Sequence, residues 1–202
     1  MTSSELLRKA ALGCLFKGYL HNLRGPLQTL LMQIEILENR LPLSGESEKV
    51  GEALSRMKKQ VFQIVDLLAS AEDDLGREDT GPWSLKELLE KELSFWRAEL
   101  EFKHKVEKKI DLPEDLRVSF PYNRLRGALC ATFFALVFGL AEKRGRLCVS
   151  ATGGEEGVEL NLEVAPALIE PESPYLKAAR EILSPEAGLE VNPERVKITL
   201  PS

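Results

Sequence analysis

The sequence predicts an α+β protein in which a long antiparallel helical hairpin precedes an α/β sandwich. Two observations carry that prediction. Apolar residues recur at alternating spacings of four and three from Phe16 to Leu41 and again from Val50 to Leu75, the period of helices packed as a bundle or coiled coil. Beyond Arg77 that period gives way to capping signals and short alternating runs, the pattern of helices laid on one face of a mixed sheet.

The first seam is Phe16, Leu20, Leu23, Leu27, Leu30, Ile34, Leu37 and Leu41, and the second is Val50, Leu54, Met57, Val61, Ile64, Leu68, Ala71 and Leu75. Between them, Pro42-Leu43-Ser44-Gly45-Glu46-Ser47 favours a turn, with Ser47 as N-cap of the second helix. Two helices with seams on one side leave apolar surface uncovered. The simplest completion is a second copy, giving a dimeric four-helix bundle; the alternative is that the seams pack on the rest of the same chain.

Arg77-Glu78-Asp79-Thr80-Gly81-Pro82 ends the heptads, so residues 1–76 read as the hairpin domain, 77–83 as a linker and 84–202 as the sandwich. Ser84-Leu85-Lys86-Glu87 is a capping box opening a helix through about Lys103. Val106 to Leu112 and Leu116 to Phe120 read as strands, and Asn123 to Lys143 as a strongly apolar helix with Leu125, Leu129, Phe133, Leu136 and Leu140 on its buried face. Arg146 to Ala151 and Val158 to Val164 form a hairpin about Thr152-Gly153-Gly154-Glu155-Glu156-Gly157. Ser173-Pro174 starts a helix to about Leu183, and Leu189 to Val191 and Val196 to Leu200 close the chain as strands.

Composition narrows the function. The chain has 202 residues, 44% hydrophobic and 29% charged, with a net charge of −5. That balance supplies no basic field for nucleic acid. No apolar stretch reads as long enough to span a bilayer, Cys130 to Gly139, interrupted by no charge, being far too short, and Met1-Thr2-Ser3-Ser4-Glu5 has no basic start and apolar core, so membrane insertion is not expected and a cytoplasmic location is. Cys14, Cys130 and Cys148 stand at no metal-ligand spacing and read as buried structural thiols, with no metal site.

His21 falls one residue after a seam position and should face water. With the residues that follow, Asn22-Leu23-Arg24-Gly25-Pro26-Leu27, it resembles the dimerisation and phosphoacceptor hairpin of two-component sensor histidine kinases, in which the acceptor histidine is followed by an acidic residue and, five positions on, by Pro-Leu. The α+β part, down to its closing Ile198-Thr199-Leu200-Pro201, looks like the ATP-binding domain of the same family. The resemblance covers nearly the whole chain.

The departures from the family pattern are concentrated in the nucleotide site. Ala131 and Ala135 stand where the kinases carry the asparagines that hold magnesium and phosphates, and neither side chain can ligate a cation. Where an Asp-x-Gly-x-Gly loop would recognise adenine, the chain reads Ala165-Pro166-Ala167-Leu168-Ile169, and Ser173 follows too soon for an ATP lid. Gly153-Gly154 reads as a hairpin turn rather than a phosphate cradle. The sequence thus predicts a degenerate ATP-binding fold with no bound cofactor and no autokinase activity.

The resemblance makes His21 the phosphoacceptor. Transfer from an aspartyl phosphate to an imidazole depends on positioning and electrostatics, and a receiver-domain partner supplies both the phosphoryl group and Mg2+. Lys17, Arg24 and Gln28, at i−4, i+3 and i+7, share a helical face with His21 and can stabilise the phosphoryl charge. Asn22 replaces the acidic neighbour that serves the kinases as a base. Gly25-Pro26 removes a helical hydrogen bond and offers a bend beside His21, or a kink without function. The bland reading of His21 is a surface histidine with basic neighbours, and His104 reads as solvated. Three functions stand: a dimeric histidine phosphotransferase working between receiver aspartates, a non-catalytic scaffold binding a receiver or kinase, and a diverged active kinase.

Overall fold

The structure, a computed structural model, describes residues 3–40, 47–73, 80–154 and 157–201. The Pro42–Glu46 connection and residues 77–79 of the linker lie outside the described residues, as do the side chains of Cys14, Phe16 and Lys17.

Two long helices open the chain, α1 (Ser3–Arg40) and α2 (Ser47–Asp73), and they pack against each other. Helix α1 runs unbroken through Pro26, where Thr29 Oγ1 donates to the Gly25 carbonyl at 3.0 Å. Leu23, Leu30, Ile34 and Leu37 on α1, with Val50, Ala53, Met57 and Ile64 on α2, are buried or half-buried. The seam is not wholly internal: Leu20 is 47% exposed, Leu27 45%, Leu54 55% and Val61 45%. One helix pair can cover only the stripe between its axes, and these four lie on its flank.

The first turns of α1 do something the heptads do not indicate. Ala11 and Leu15 are fully buried in the same core as the sandwich, where α1 lies against α5. Helix α1 is therefore shared between the α2 contact and the α+β core.

That core begins at β1 (Trp83–Ser84), a two-residue strand pairing antiparallel with β3 (Arg117–Val118). Ser84 caps α3 (Leu85–Trp96), its Oγ accepting from the Glu87 amide at 3.3 Å, as the capping box predicts. The expected single helix to Lys103 is two. Helix α3 stops at Trp96, and α4 (Leu100–Lys105) restarts after a turn in which the Glu99 carboxylate accepts from the Phe102 amide.

The main sheet has five strands in the order β2-β4-β5-β7-β6: β2 (Glu107–Asp111), β4 (Arg146–Gly154), β5 (Gly157–Ala165), β6 (Gly188–Asn192) and β7 (Arg195–Leu200). Edge strand β2 runs parallel to β4, and every other pair is antiparallel. Leu147, Val149, Leu160, Leu162, Val196 and Ile198 point inward, while Arg146, Glu159, Glu163 and Arg195 alternate to the outside.

On the inner face lie α5 (Tyr122–Lys143) and α6 (Pro174–Leu183), packed along each other. By length and hydropathy α5 could cross a membrane, a longer apolar element than Cys130–Gly139 suggested, but 78% of its apolar window is buried inside the fold. Trp96 sits among Phe133, Phe134 and Phe138 at centroid distances of 6.2, 5.1 and 6.4 Å. Each fully buried aromatic of this kind contributes about 2–3 kcal/mol from area alone.

Candidate functional site

His21 lies on α1 three residues past Gly18, and its side chain is exposed, as its phase in the seam predicts. Arg24 and Gln28 are exposed too and share its face by helical spacing. Lower on that face stand two exposed apolar side chains, Met32 and Ile36. His21, Arg24 and Gln28 thus share one exposed face of α1 by spacing, whereas the Lys17 side chain lies outside the described residues.

Asn22 behaves differently from its neighbours. Its amide nitrogen donates to the Arg97 carbonyl at 3.4 Å, and its oxygen accepts from Lys103 Nζ at 3.0 Å. Both partners belong to the turn and helix that follow α3. Gly18, one turn earlier, meets the same turn: a Cβ there would collide with the Ala98 carbonyl. Only glycine permits the two backbones to approach so closely.

These contacts set the α+β unit against α1 beside His21. Sequence reasoning missed Gly18, Arg97, Ala98 and Lys103 as a group. His104 reads as solvated, and nothing local pairs its neighbour Lys103 with a residue some eighty positions earlier.

Around Lys103 stand Arg97, Lys105 and Lys108, with Glu101 paired to Lys105. Lys108 Nζ donates to the carbonyls of Phe102 and Lys103 and stands 4.4 Å from the Phe102 ring centroid. Burial and then repulsion from Arg97 push its amine below the ordinary lysine range, with Glu99 opposing.

In the α+β unit, Ala131 is fully buried and Ala135 half-buried, methyl side chains with no oxygen to offer. Helix α6 lies along α5, with Phe134 and Tyr175 stacked at 5.0 Å and Arg124 Nε donating to the Ile182 carbonyl at 3.0 Å. The Ala165–Ile169 segment folds back onto the β6–β7 turn: Ala167 and Ile169 are buried, and the Ile169 amide donates to the Pro193 carbonyl at 2.7 Å. Gly153 and Gly154 continue β4, paired to Val158 and Gly157. A pocket of about 460 Å³ opens beside this segment, lined by Arg146, Cys148, Glu163, Leu168 and Arg195 among others. Among the described residues, no group of three or more His, Cys, Asp or Glu is placed to hold a metal ion.

The cysteines divide. Cys130 is buried near Glu92 and Arg8; burial, with the Glu92 charge adding to it, pushes its thiol up to about 12, which makes it a structural group. Cys148 is only half-buried on the outer face of β4, against the expectation of burial.

No family model matches the chain, and none of the curated proteins matches it. Solved structures do. The histidine kinase AdeS of Acinetobacter baumannii is 17% identical, with 90% of this chain and 97% of that one covered and a TM-score of 0.51. The catalytic domain of histidine kinase ThkA is 17% identical, covering 61% of this chain and 97% of its own, with a TM-score of 0.52. ThkA in complex with the response regulator TrrA is 14% identical over 96% of this chain and 63% of that one, at a TM-score of 0.51. At such identities the likeness is one of fold. This chain has the fold of the two-component sensor histidine kinases.

Proposed function

We propose that the chain is a dimeric histidine phosphotransferase that exchanges a phosphoryl group between His21 and the aspartate of a receiver domain, and that its α+β unit binds no nucleotide. The observation that carries this is the exposed His21 on a kinase-type helix attached to a catalytic-type fold whose ligand positions are Ala131 and Ala135. Methyl groups replace the side chains that would coordinate magnesium, so the residues present do not fit a magnesium nucleotide. The packed Ala165–Ile169 segment, in place of an open adenine loop, supports the same reading.

The half-exposed flank of Leu20, Leu27, Leu54 and Val61 supports a second copy completing a four-helix bundle. Met32 and Ile36, below His21, then remain free to receive an α-helical face of a receiver, and the solved complex of ThkA with its response regulator supports a partner of that class. In the transfer step the imidazole nitrogen attacks the acyl phosphate, a P–N bond forms as the P–O bond to aspartate breaks, and the carboxylate leaves with the pair of electrons. Arg24 and Gln28 face the transferred group from the same helix.

The test is phosphoryl transfer from acetyl-phosphate-charged receivers to wild type and to His21→Ala. Acid-labile, alkali-stable label on wild type alone supports the transferase. Receiver binding with no label on His21 points instead to a scaffold, and label from magnesium-ATP alone to an active kinase.

A further inference from the structure

We propose that the α+β unit supplies half of the phosphoryl-binding charge at His21, through Arg97 and Lys103, and that Asn22 is the positioning residue that holds them there. The inference rests on the phosphotransfer reading of His21 and extends it to residues outside α1.

Three contacts converge on one turn of α1. The Gly18 backbone lies against the Ala98 carbonyl, the Asn22 amide donates to the Arg97 carbonyl at 3.4 Å, and Lys103 Nζ donates to Asn22 Oδ1 at 3.0 Å. Asn22 uses both ends of its amide, one as donor and one as acceptor. A carboxylate in its place has no N–H for the Arg97 carbonyl. The asparagine that departs from the kinase pattern is therefore matched to the α3–α4 turn.

Lys103 donates to a neutral oxygen, which leaves its charge uncompensated. Among the described residues neither Arg97 nor Lys103 pairs with a carboxylate, whereas Lys86, Lys105, Lys177 and Lys197 all do. Both are exposed, and Lys108, whose Nζ donates to the Lys103 carbonyl at 3.2 Å, adds a third cation to the same turn. A chain of net charge −5 thus holds Lys103, and the backbone of Arg97, on the residue next to its exposed histidine. The chemistry these cations recognise is a dianionic phosphoryl group arriving on, or leaving with, an acidic partner.

The test uses the full chain and phosphoramidate, a small donor that phosphorylates imidazole without a receiver. The variants are Lys103→Gln, Lys103→Arg, the Arg97→Gln/Lys103→Gln pair, Asn22→Ala, and Lys86→Gln as a remote control. Label on His21 should form about threefold more slowly in Lys103→Gln and about tenfold more slowly in the pair, the size expected of exposed cations. Lys103→Arg should restore the rate, Asn22→Ala should mimic Lys103→Gln, and the double variant should show a weaker salt dependence than wild type. A purely structural role would leave the salt dependence unchanged and make Lys103→Arg as slow as Lys103→Gln, and that outcome overturns the proposal. So does a double variant that labels at the wild-type rate while His21→Ala takes no label. If wild type takes no label at His21, the phosphotransfer reading itself fails and the proposal with it.

Discussion

Arg8 and Glu92, 84 positions apart, meet in the core: Arg8 Nη1 donates to the two Glu92 oxygens at 3.0 and 2.8 Å, with Arg8 6% exposed and Glu92 wholly buried. Arg126 Nε lies 3.0 Å from the same carboxylate, and Trp96 Nε1 donates to it at 2.8 Å. One carboxylate thus serves two buried guanidiniums and an indole, joining α1, α3 and α5. Arg8 also lies over the Phe95 ring at 4.3 Å.

Removing the shared anion should cost more than removing either cation's share. Glu92→Gln leaves two guanidiniums facing each other in a dry site, a loss of about 3–5 kcal/mol. Urea denaturation should show that fall in midpoint with little change in slope.

Gly18 tests the approach of α1 to the α3–α4 turn. Gly18→Ala places a methyl where the Ala98 carbonyl stands, so the backbones must part. The expected loss is about 1–3 kcal/mol, or about 2–4 °C in Tm for each kcal/mol in a chain of this size. Gly25→Ala is the comparison: a Cβ at Gly25 meets nothing within 4 Å, and alanine there should hold or raise stability through helix propensity.

The exposed flank of the helix pair tests the dimer. Leu54→Glu with Val61→Glu places two carboxylates on it, and neither residue is buried within one chain. Sedimentation equilibrium should show wild-type dimers and variant monomers, with far-UV circular dichroism unchanged. An unaltered mass would assign the flank to another partner.

Cys130 makes a pH prediction. Its thiol is held up to about 12 against an ordinary value of 9.0, so the folded state keeps a proton that the unfolded state gives up. The stability it contributes is complete below 9.0 and is lost as pH rises from 9.0 towards about 12. Cys130→Ala should flatten the alkaline limb of the stability profile. At neutral pH, iodoacetamide should modify Cys130 only on unfolding, while half-buried Cys148 reacts in the native protein.

The sequence was most legible where the signal is periodic or local. His21's exposure followed from its phase against Leu20 and Leu23, the start of α3 from Ser84 and Glu87, and the β4–β5 hairpin from alternation around Gly153 and Gly157. What escaped depends on tertiary contact. Trp83–Ser84 is too short to show alternation and is a strand only because Val118 and Arg117 pair with it. The break at Arg97–Glu99 lies within a helical apolar pattern, and the backbone it packs against, at Gly18, is remote in sequence. The burial of Ala11 and Leu15 in the sandwich core could not be separated from a seam that continues into the hairpin, because one helix serves both with the same period.

That shared helix changes what a fragment of this protein would be. A shortened chain beginning at Thr80 keeps every strand but leaves behind Ala11 and Leu15 from its core and the Arg8 guanidinium that Glu92 holds. Such a piece uncovers apolar surface on α5 and strands a buried carboxylate with fewer cations. It should come out of cells poorly or clump, and adding residues 3–18 back as a separate peptide should restore its solubility.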